Sequence, residues 1–430
     1  MKTVGIIAEF NPFHKGHEYL IRTLKKETGS DYAVIVMSGD YTQRGAPAIL
    51  DKYTRTKMAL LCGADLVLEL PIYYSTSSAE FFAGGAVSLL NNLGCIDFLG
   101  FGSESEDIES MKKVSAVLAD EPKDFSEHIK RNLKSGMSYP AARSDALSKY
   151  IDKTSDTNDN GFDVSPLSSP NDILGTEYIK ALILQHSTIT PYAVKRVGAG
   201  YDDTELFSDP GHYASAKAIR TVLENLGDIK NISGKDLSQE DAFSQLPMAV
   251  TDYLLSLNND GKLSYISADR FSELLHYKLL LGKNEGFSDF LDVTPDLSDK
   301  ILGHLNSFSS FSDYIMKLKS KDLTYTRISR ALLHIVLGMT SDKLKLYTED
   351  RSAFTSYARI LGFNKSASPL MKKIQECSHI PVISTLSDAY KALDKTAYML
   401  LCDTISASNI YDLVRGTAPI NEYAKPPVIL

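Results

Sequence analysis

The chain has 430 residues, which is too long for one ordinary hydrophobic core, so we expect two or three domains. Hydrophobic residues make up 43% of the chain and charged residues 23%, proportions that are typical of a soluble globular protein. The net charge of -8 argues against a surface that is basic throughout, so no DNA partner is expected, although a local basic patch is compatible with it.

The next features are the apolar runs, which bear on targeting, and the spacing of the cysteines, which bears on metal binding. No run of 18 apolar residues occurs, and the N-terminus leads directly into a predicted strand, so we expect no membrane span, no signal peptide and a cytoplasmic location. Cys62, Cys95, Cys377 and Cys402 are scattered without a Cys-x-x-Cys pair. This spacing predicts core thiols and no structural zinc site.

The first element is a strand, a loop and a helix. An apolar run from Thr3 to Ala8 predicts a buried strand, Asn11-Pro12 ends it, and a helical pattern begins directly after His17. The sequence His-x-Gly-His stands at this junction.

The junction suits phosphate chemistry. Helix N-termini bind phosphate readily, and His14 and His17, three residues apart, share a face from which both can donate to phosphate oxygens. Gly16 has no side chain to obstruct a flat nucleotide. The arrangement favours adenylyl transfer, in which positioning and charge stabilisation dominate. The alternative is a polar helix start with two solvated histidines.

Strands and helices then alternate. We predict strands at residues 32–37, 64–71, 95–104 and 189–196, and helices at 51–62 and 78–93. This alternation predicts an α/β fold with a parallel sheet, right-handed crossovers and a Rossmann-like nucleotidyltransferase domain. Neither Gly-x-Gly-x-x-Gly nor a Walker A pattern occurs, which argues against dinucleotide and P-loop sites.

Two later segments are candidates for ligand contact. Residues 152–170 form a polar loop, after which Asn171 begins a helix capped by Asn or Asp, so Asn171 is either a simple cap or a ligand contact. Ser215 stands at a predicted helix start and Arg220 follows about one and a half turns later, which suits a clamp on nucleotide phosphates. The Ser215 pattern supports a phosphate clamp only because it follows His-x-Gly-His along the chain.

The C-terminal half has helical patterns throughout. Apolar residues recur at three- and four-residue spacing over residues 249–257, 270–281, 314–321, 326–337 and 386–393. We therefore predict a catalytic domain over residues 1–235 and an all-helical domain over residues 236–430.

Two stretches of the helical half are locally basic. The first, with Tyr325 interleaved, contains Lys317, Lys319, Lys321, Arg327 and Arg330, and the second contains Arg359, Lys365, Lys372 and Lys373. Both are candidate RNA-backbone contacts, and the alternative is a solvated helix face.

These motifs together resemble a known group of enzymes. The chain resembles the nucleotidyltransferase superfamily that carries His-x-Gly-His and a distal Ser/Thr-Ile-Arg element. More closely, it is similar to the bacterial tRNA(Met) cytidine acetate ligase family, through residues 5–17, 38–45, 63–71, 101–104, 171–175 and 215–220, and through Lys-Ser-Lys and Thr-Tyr-Thr-Arg in the helical half.

The resemblance implies a two-step reaction. That family activates acetate with ATP to give acetyl-adenylate and passes the acetyl group to N4 of the wobble cytidine of elongator tRNA(Met). His14 and His17 would be catalytic, Ser215 and Arg220 would hold the leaving phosphates, and Mg²⁺ is expected to screen them. The implied ATP contacts are Ile7, Ala8, Glu9, Phe10, Asn11, Pro12, Phe13, His14, Lys15, Gly16, His17, Glu18, Tyr19, Leu20, Gly102, Asn171, Arg196, Ser215 and Arg220.

Two other functions stay open from the sequence. A small-molecule adenylyltransferase, acting for example on a phosphopantetheine or a nicotinate nucleotide, shares the histidine motif but needs no helical half of this size. A non-catalytic RNA-binding protein with a vestigial nucleotide fold is the third hypothesis, against which the intact motif argues.

Overall fold

A computed structural model of the chain describes residues 1–137, 139–154, 169–197, 213–225, 241–321, 323–349, 354–416 and 420–430. Within these ranges the strands form one sheet. The strands are β1 (Thr3–Ala8), β2 (Tyr32–Ser38), β3 (Leu66–Leu70), β4 (Phe98–Ser103), β5 (Thr190–Lys195), β6 (Ala358–Phe363), β7 (Val382–Ile383) and β8 (Val428–Ile429).

The sheet places the ends of the first five strands together. The order is β5-β4-β1-β2-β3-β6-β7, with β8 beside β6, and β1 to β5 all run parallel. The predicted parallel nucleotidyltransferase sheet is therefore confirmed. Parallel strands end at a common edge, called here the carboxyl edge, which is where open α/β sheets bind ligands.

Helices cover both faces of the sheet. They are α1 (Lys15–Thr28), α2 (Lys52–Leu61), α3 (Ile72–Ser75), α4 (Ala79–Asn92), α5 (Ile108–Asp120), α6 (Lys123–Lys134), α7 (Tyr139–Thr154), α8 (Pro170–Leu184), α9 (Ala216–Asn225), α10 (Asp241–Ser244), α11 (Met248–Asn259), α12 (Ser272–Gly282), α13 (Pro295–His304), α14 (Phe311–Leu318), α15 (Tyr325–Leu337), α16 (Ser341–Tyr347), α17 (Ser368–Cys377), α18 (Ala389–Ala392) and α19 (Lys395–Arg415). Single 3₁₀ turns occur at Ala268–Phe271, Leu305–Ser307 and Lys365–Ala367. None of the helices in the described ranges is both long and apolar enough to cross a bilayer.

The C-terminal half is mostly helical, but the prediction that it is all-helical is wrong. Strand β6 pairs antiparallel with β3, and β7 and β8 pair with β6, so the C-terminal half extends the N-terminal sheet. The run Ala358–Phe363 is short, almost entirely buried and apolar apart from Arg359, and such a run has no periodicity that separates a strand from a helix. One hydrophobic core also joins residues from both halves, from Ile7 to Tyr411.

Two predicted features fall partly or wholly outside the described residues. The domain boundary at residues 235 and 236 lies in the gap 226–240, and it stays a prediction. Of the predicted polar loop 152–170, residues 152–154 end α7, residue 170 begins α8, and residues 155–168 are outside the described ranges.

A buried ion network joins the two halves beside the carboxyl end of β3. Lys52 Nζ lies 2.7 Å from both Glu69 Oε1 and Glu422 Oε1, and Arg359 Nη1 lies 2.7 Å from Glu69 Oε2 and 2.6 Å from Glu422 Oε2. All four side chains are at most 4% exposed. Charges this deep need close partners, so the network holds the C-terminal segment against the catalytic half.

Candidate active site

The candidate site lies at the carboxyl edge, where β1, β4 and β5 end. His14 follows β1 and begins α1, Gly102 and Glu104 stand at the end of β4, and Arg196 directly follows β5. The parallel register of these three neighbouring strands brings their loops together although they are far apart in sequence.

The backbone of the first turn of α1 holds the two histidines. The N–H of Gly16 donates to His14 Nδ1 at 3.1 Å, and the N–H of His14 donates to His17 Nδ1 at 3.2 Å. A ring nitrogen that accepts a hydrogen bond carries no proton, so each neutral imidazole carries its proton on Nε2. The ring centroids lie 3.8 Å apart. The site therefore contains two adjacent Nε2–H donors of the same tautomer.

Both histidines are neutral at pH 7. Burial, together with the positive charges of Arg196 and Arg220, lowers the pKa of His14 to about 3. Burial, His14 and Arg196 hold the pKa of His17 well below its usual value. His14 is only 8% exposed and His17 is half-buried, with its Nδ1 bonded to the backbone, so the two histidines are not a solvated pair.

The neighbours of the histidines show why Gly16 and Phe10 occur in this motif. A Cβ on Gly16 would lie 2.9 Å from His14 Cε1, so the glycine makes room first for the His14 ring, a contact that the sequence did not predict. Phe10 has a φ of 48°, in the left-handed region that non-glycine residues seldom adopt. This turn packs the Phe10 ring edge-on against His17, with centroids 4.9 Å apart.

Asn171, Gly102 and Arg196 meet around Glu104. The amide of Asn171 donates to Glu104 Oε1, and Arg196 Nε lies 3.7 Å from the same oxygen. A Cβ on Gly102 would lie 3.3 Å from Arg196 Cγ. Asn171 is not the helix cap, because α8 begins at Pro170 and its N-cap is Ser169. The structure thus places Asn171 beside two other predicted ATP contacts.

Asp172 organises this loop, whereas the sequence suggested an Asp at this position only as a possible helix cap. Its Oδ1 accepts from Ser103 Oγ at 2.6 Å and from the N–H of Glu104 at 3.0 Å. Its Oδ2 accepts from the N–H of Ser105 at 3.1 Å and from Ser169 Oγ at 2.8 Å. Its position directly after Asn171, at the predicted helix start, is the sequence signal that could have identified it.

Helix α9 brings Arg220 to the site. The N–H of Ala218 donates to Ser215 Oγ at 3.0 Å, so Ser215 stands at the helix start as predicted. Arg220 Nη1 donates to the backbone oxygen of Asn11 at 2.6 Å, which places the guanidinium beside the loop that leads to His14.

Glu9 and Arg55 shape the loops after β1 and β2. Glu9 Oε1 accepts from the N–H of Gln43 at 2.7 Å, and burial raises the pKa of Glu9 although this bond and nearby arginines oppose the shift. The fully buried Arg55 donates to the backbone oxygens of Glu9 at 2.7 Å and Ser38 at 3.0 Å. Arg55 lies in a polar run that no motif singled out, so the sequence did not reveal its role.

The rest of the predicted segment from Ile7 to Leu20 divides into core and surface. The side chains of Ile7, Phe10 and Phe13 belong to the hydrophobic cores, so any contact that they make with a nucleotide is through the backbone. Lys15 Nζ donates to the backbone oxygen of Ser244 at 2.6 Å. The individual ATP contacts stay predictions.

The first basic stretch lies close to the catalytic loops. Lys319 and Lys321, in the connection between α14 and α15, are exposed, and Arg327 in the first turn of α15 is partly exposed. Ser329 Oγ donates to the backbone oxygen of Gly45 at 2.8 Å, which ties α15 to the loop after β2.

Two other members of the first stretch are held in ion pairs. Lys317 Nζ lies 2.7 Å from Asp313 Oδ2. Arg330 Nε lies 2.8 Å from Asp292 Oδ2, and its side chain is only 12% exposed. The packing corrects the prediction for Arg330, because little of its guanidinium is left for a phosphate.

The second basic stretch does not form part of the site. Arg359 is buried in the ion network, so its predicted RNA contact is wrong. Lys365 follows β6, whose last residue pairs with the first residue of β3, at the edge of the sheet opposite to the histidines. Lys372 and Lys373 lie in α17 on the same edge, where Lys373 Nζ reaches the backbone oxygen of Met1 at 3.5 Å.

Metal-ligating side chains do not cluster in the described ranges. No three His, Cys, Asp or Glu residues there lie close enough together to hold a metal ion. Cys62 and Cys95 are buried free thiols, as predicted, whereas Cys377 and Cys402 are partly exposed.

Comparisons with known proteins extend over the whole chain. A family model described as HIGH Nucleotidyl Transferase matches residues 1–424. A tRNA(Met) cytidine acetate ligase of Clostridium perfringens is 39% identical over 430 residues, covering 100% of both chains. A protein of the same name from Clostridium novyi is 40% identical over 424 residues, covering 98% of this chain and 99% of the relative.

Solved structures agree with this similarity. The apo form of Thermotoga maritima TmcAL superposes with a TM-score of 0.89 at 28% identity, with 100% of both chains covered. The same protein bound to alpha-thio ATP gives a TM-score of 0.87 at 27% identity, again over 100% of both chains. The fold is thus shared with a protein whose structure was solved with alpha-thio ATP bound.

Proposed function

The chain belongs to the HIGH nucleotidyl transferase family and, within it, to the tRNA(Met) cytidine acetate ligases, and from this premise we propose that it is an ATP-dependent ligase that acetylates N4 of the wobble cytidine of elongator tRNA(Met). The observation that carries the proposal is the pair of neutral histidines with Arg196 and Arg220 beside them at the carboxyl edge.

The first step follows from the charges of this site. The acetate carboxylate attacks the α-phosphorus of ATP, the bond to the β-phosphate oxygen breaks, and pyrophosphate leaves. The Nε2–H groups of His14 and His17 donate to phosphate oxygens, and because both rings are neutral they stabilise the growing charge without giving up a proton. Arg196 and Arg220 supply the positive charge that the neutral rings lack.

Further ATP contacts are proposed around this centre. Ser215 and the N-terminus of α9 hold the terminal phosphates, because the first N–H groups of a helix have no partner within the helix. We propose that Mg²⁺ enters with ATP, bound by phosphate oxygens, as is usual where a protein supplies few carboxylates. The cytidine amine then attacks the acetyl carbonyl carbon, and AMP leaves. Since the proposed acceptor is a tRNA, we propose the cytoplasm as the place of action.

The test separates this reaction from other adenylyl transfers. Purified protein is incubated with ATP, labelled pyrophosphate and acetate, and acetate-dependent exchange of the label into ATP is measured. Elongator tRNA(Met) is then added, and its nucleosides are analysed by mass spectrometry for N4-acetylcytidine. Exchange without acetate, or exchange that responds to a phosphopantetheine or nicotinate nucleotide instead, would favour a small-molecule adenylyltransferase.

Binding of tRNA is tested on the first basic stretch. Substitution of Lys319, Lys321 and Arg327 together by Ala is expected to weaken binding, and the slope of log K against log salt is expected to decrease by about 2 to 3 because each phosphate contact contributes about 0.7 to 0.9. The matched control is substitution of Lys365 and Lys372, which lie at the opposite edge of the sheet. An unchanged salt slope in the triple variant would show that the stretch is only a solvated face.

A further inference from the structure

The opening of the site is framed by the helical half. The loop after β2 contacts Glu9 through Gln43 and contacts α15 through Gly45, whose oxygen accepts from Ser329. In the same loop the Tyr41 ring lies 5.9 Å from the ring of Phe271, the last residue of the 3₁₀ turn Ala268–Phe271. The start of α15 and this turn therefore stand beside the ATP-binding loops.

A tyrosine and two carboxylates lie around this opening, and we call Glu224, Asp269 and Tyr325 the mouth cluster. Glu224 lies one helical turn after Arg220 on α9, so the two side chains share a face. Desolvation raises the pKa of Glu224, the charge of Arg220 opposes this shift, and Asp269 adds to it. Asn11, whose oxygen accepts from Arg220, also accepts at Oδ1 from the N–H of Ile49 at 2.8 Å, and the Ile49 oxygen accepts from the N–H of Ile266 at 3.0 Å. The chain that leads into the turn Ala268–Phe271 therefore lies beside the Arg220 loop. Burial, Asp269 and Glu224 likewise raise the pKa of Tyr325.

The members of the mouth cluster differ in what they can offer a ligand. Both carboxylate oxygens of Asp269 accept from Ser312, from its N–H and from its hydroxyl, each at 2.7 Å, so Asp269 has a structural role. Glu224 keeps solvent-exposed surface although neighbouring groups partly desolvate its carboxylate, and Tyr325 is 42% exposed. An accessible carboxylate thus shares a helix face with the arginine of the phosphate site, and an accessible aromatic ring stands at the start of α15.

Cytosine is the base that this pair suits. Single-stranded RNA bases are recognised by stacking on aromatic side chains and by hydrogen bonds to their Watson–Crick edges. The N4 amine of cytosine is a donor to which Glu and Asp side chains pair, whereas uracil presents the acceptor O4 at the same place. A carboxylate therefore favours cytosine over uracil, since two acceptors repel.

We propose that Tyr325 and Glu224 form the subsite that receives the wobble cytosine, an inference that rests on the proposed function. Tyr325 stacks on the base, and the Glu224 carboxylate accepts a hydrogen bond from its N4 amine. Lys319, Lys321 and Arg327 flank Tyr325 in sequence and would hold the phosphates of the same strand. The subsite thereby joins the basic stretch to the adenylate site.

The experiment compares two RNAs in the absence of ATP. Binding of the anticodon stem-loop of elongator tRNA(Met), with C or with U at the wobble position, is measured by fluorescence anisotropy on the full-length protein. We expect the parent to bind the C form about tenfold more tightly, E224A to lose this preference, and E224Q to lose part of it. Y325A is expected to weaken both RNAs about tenfold, and Y325F, which keeps the ring, to bind like the parent.

Controls distinguish the failure of this subsite from the failure of the proposed function. Tyr390→Ala, at a tyrosine that is 58% exposed in α18, and Glu376→Gln, on α17, remove similar groups elsewhere. Acetate-dependent exchange without RNA is measured on the parent, and it should be the same in Tyr390→Ala and Glu376→Gln. If the parent shows no such exchange, the proposed function fails. If exchange is normal but E224A keeps the preference for C, or Y325A binds as tightly as Tyr390→Ala, the subsite is refuted.

Discussion

Removal of one histidine donor tests the proposed chemistry most directly. In His14→Ala the Nε2–H group is lost from the site, and loss of one preorganised donor to a developing oxyanion lowers kcat by about 10²–10³. The same change removes the acceptor of the Gly16 N–H at the start of α1, and loss of such a cap costs about 1 kcal/mol of stability. The assay is single-turnover formation of acetyl-adenylate, together with urea unfolding.

Two isosteric variants separate these effects. In His14→Asn the amide oxygen can replace Nδ1 as acceptor for the Gly16 N–H, but no group reaches the position of Nε2. In His14→Gln the amide nitrogen can reach that position. We therefore expect the Asn variant to be as stable as the parent and as slow as the Ala variant, and the Gln variant to recover about tenfold in rate. An Asn variant with the parent's rate would refute the donor role.

The lowered pKa of His14 adds a pH dependence with a definite sign. Because the folded pKa is about 3 and the unfolded value is about 6.5, acid favours the unfolded state, and stability falls by about 2 kcal/mol from pH 7 to pH 5 on account of His14. The Asn variant should lack this loss. The rate of adenylate formation should not fall, in a manner that depends on His14, as the pH rises through 6.5. Such a fall would instead indicate a catalytic imidazolium.

Two further substitutions test the framework of the site. Glu422→Ala leaves the buried charges of Lys52 and Arg359 with one acid fewer, so we expect a loss of about 3–5 kcal/mol in the free energy of unfolding by urea. Asp172→Asn places an amide NH₂ group against the backbone N–H groups from which Asp172 now accepts hydrogen bonds. We therefore expect a loss of about 1–3 kcal/mol in the free energy of unfolding, and a KM for ATP about tenfold higher in the acetate-dependent exchange assay.

Exposed ion pairs serve as controls for both substitutions. Glu109→Ala removes a surface partner of Lys112, and Asp342→Asn weakens a surface pair with Lys345, and each should change stability by less than about 1 kcal/mol. A Glu422 variant as stable as the Glu109 control would mean that the network contributes nothing. A normal KM for ATP in the Asp172 variant would show that the loop organised by Asp172 does not contribute to nucleotide binding.

The local order of the catalytic half follows from its sequence pattern. Apolar runs closed by Asn11-Pro12 or by Pro71 predicted the parallel strands, and the hydroxyl of Ser215 marked a helix start that the structure confirms. The pattern could not show that Arg359 is buried or that β6 joins the sheet, because both depend on pairing with β3, which lies almost 300 residues earlier. Such long-range pairing leaves no local periodicity.

What the sequence determined by itself was the chemistry of the histidine motif, since residue type and spacing at a strand–helix junction decide which groups can meet a phosphate. Only the tertiary structure decided the state and the surroundings of those groups. The lowered pKa of His14 arises from burial and from Arg196 and Arg220, which the fold brings in from distant parts of the chain. Desolvation and charge act through space, so the order of residues along the chain does not show them.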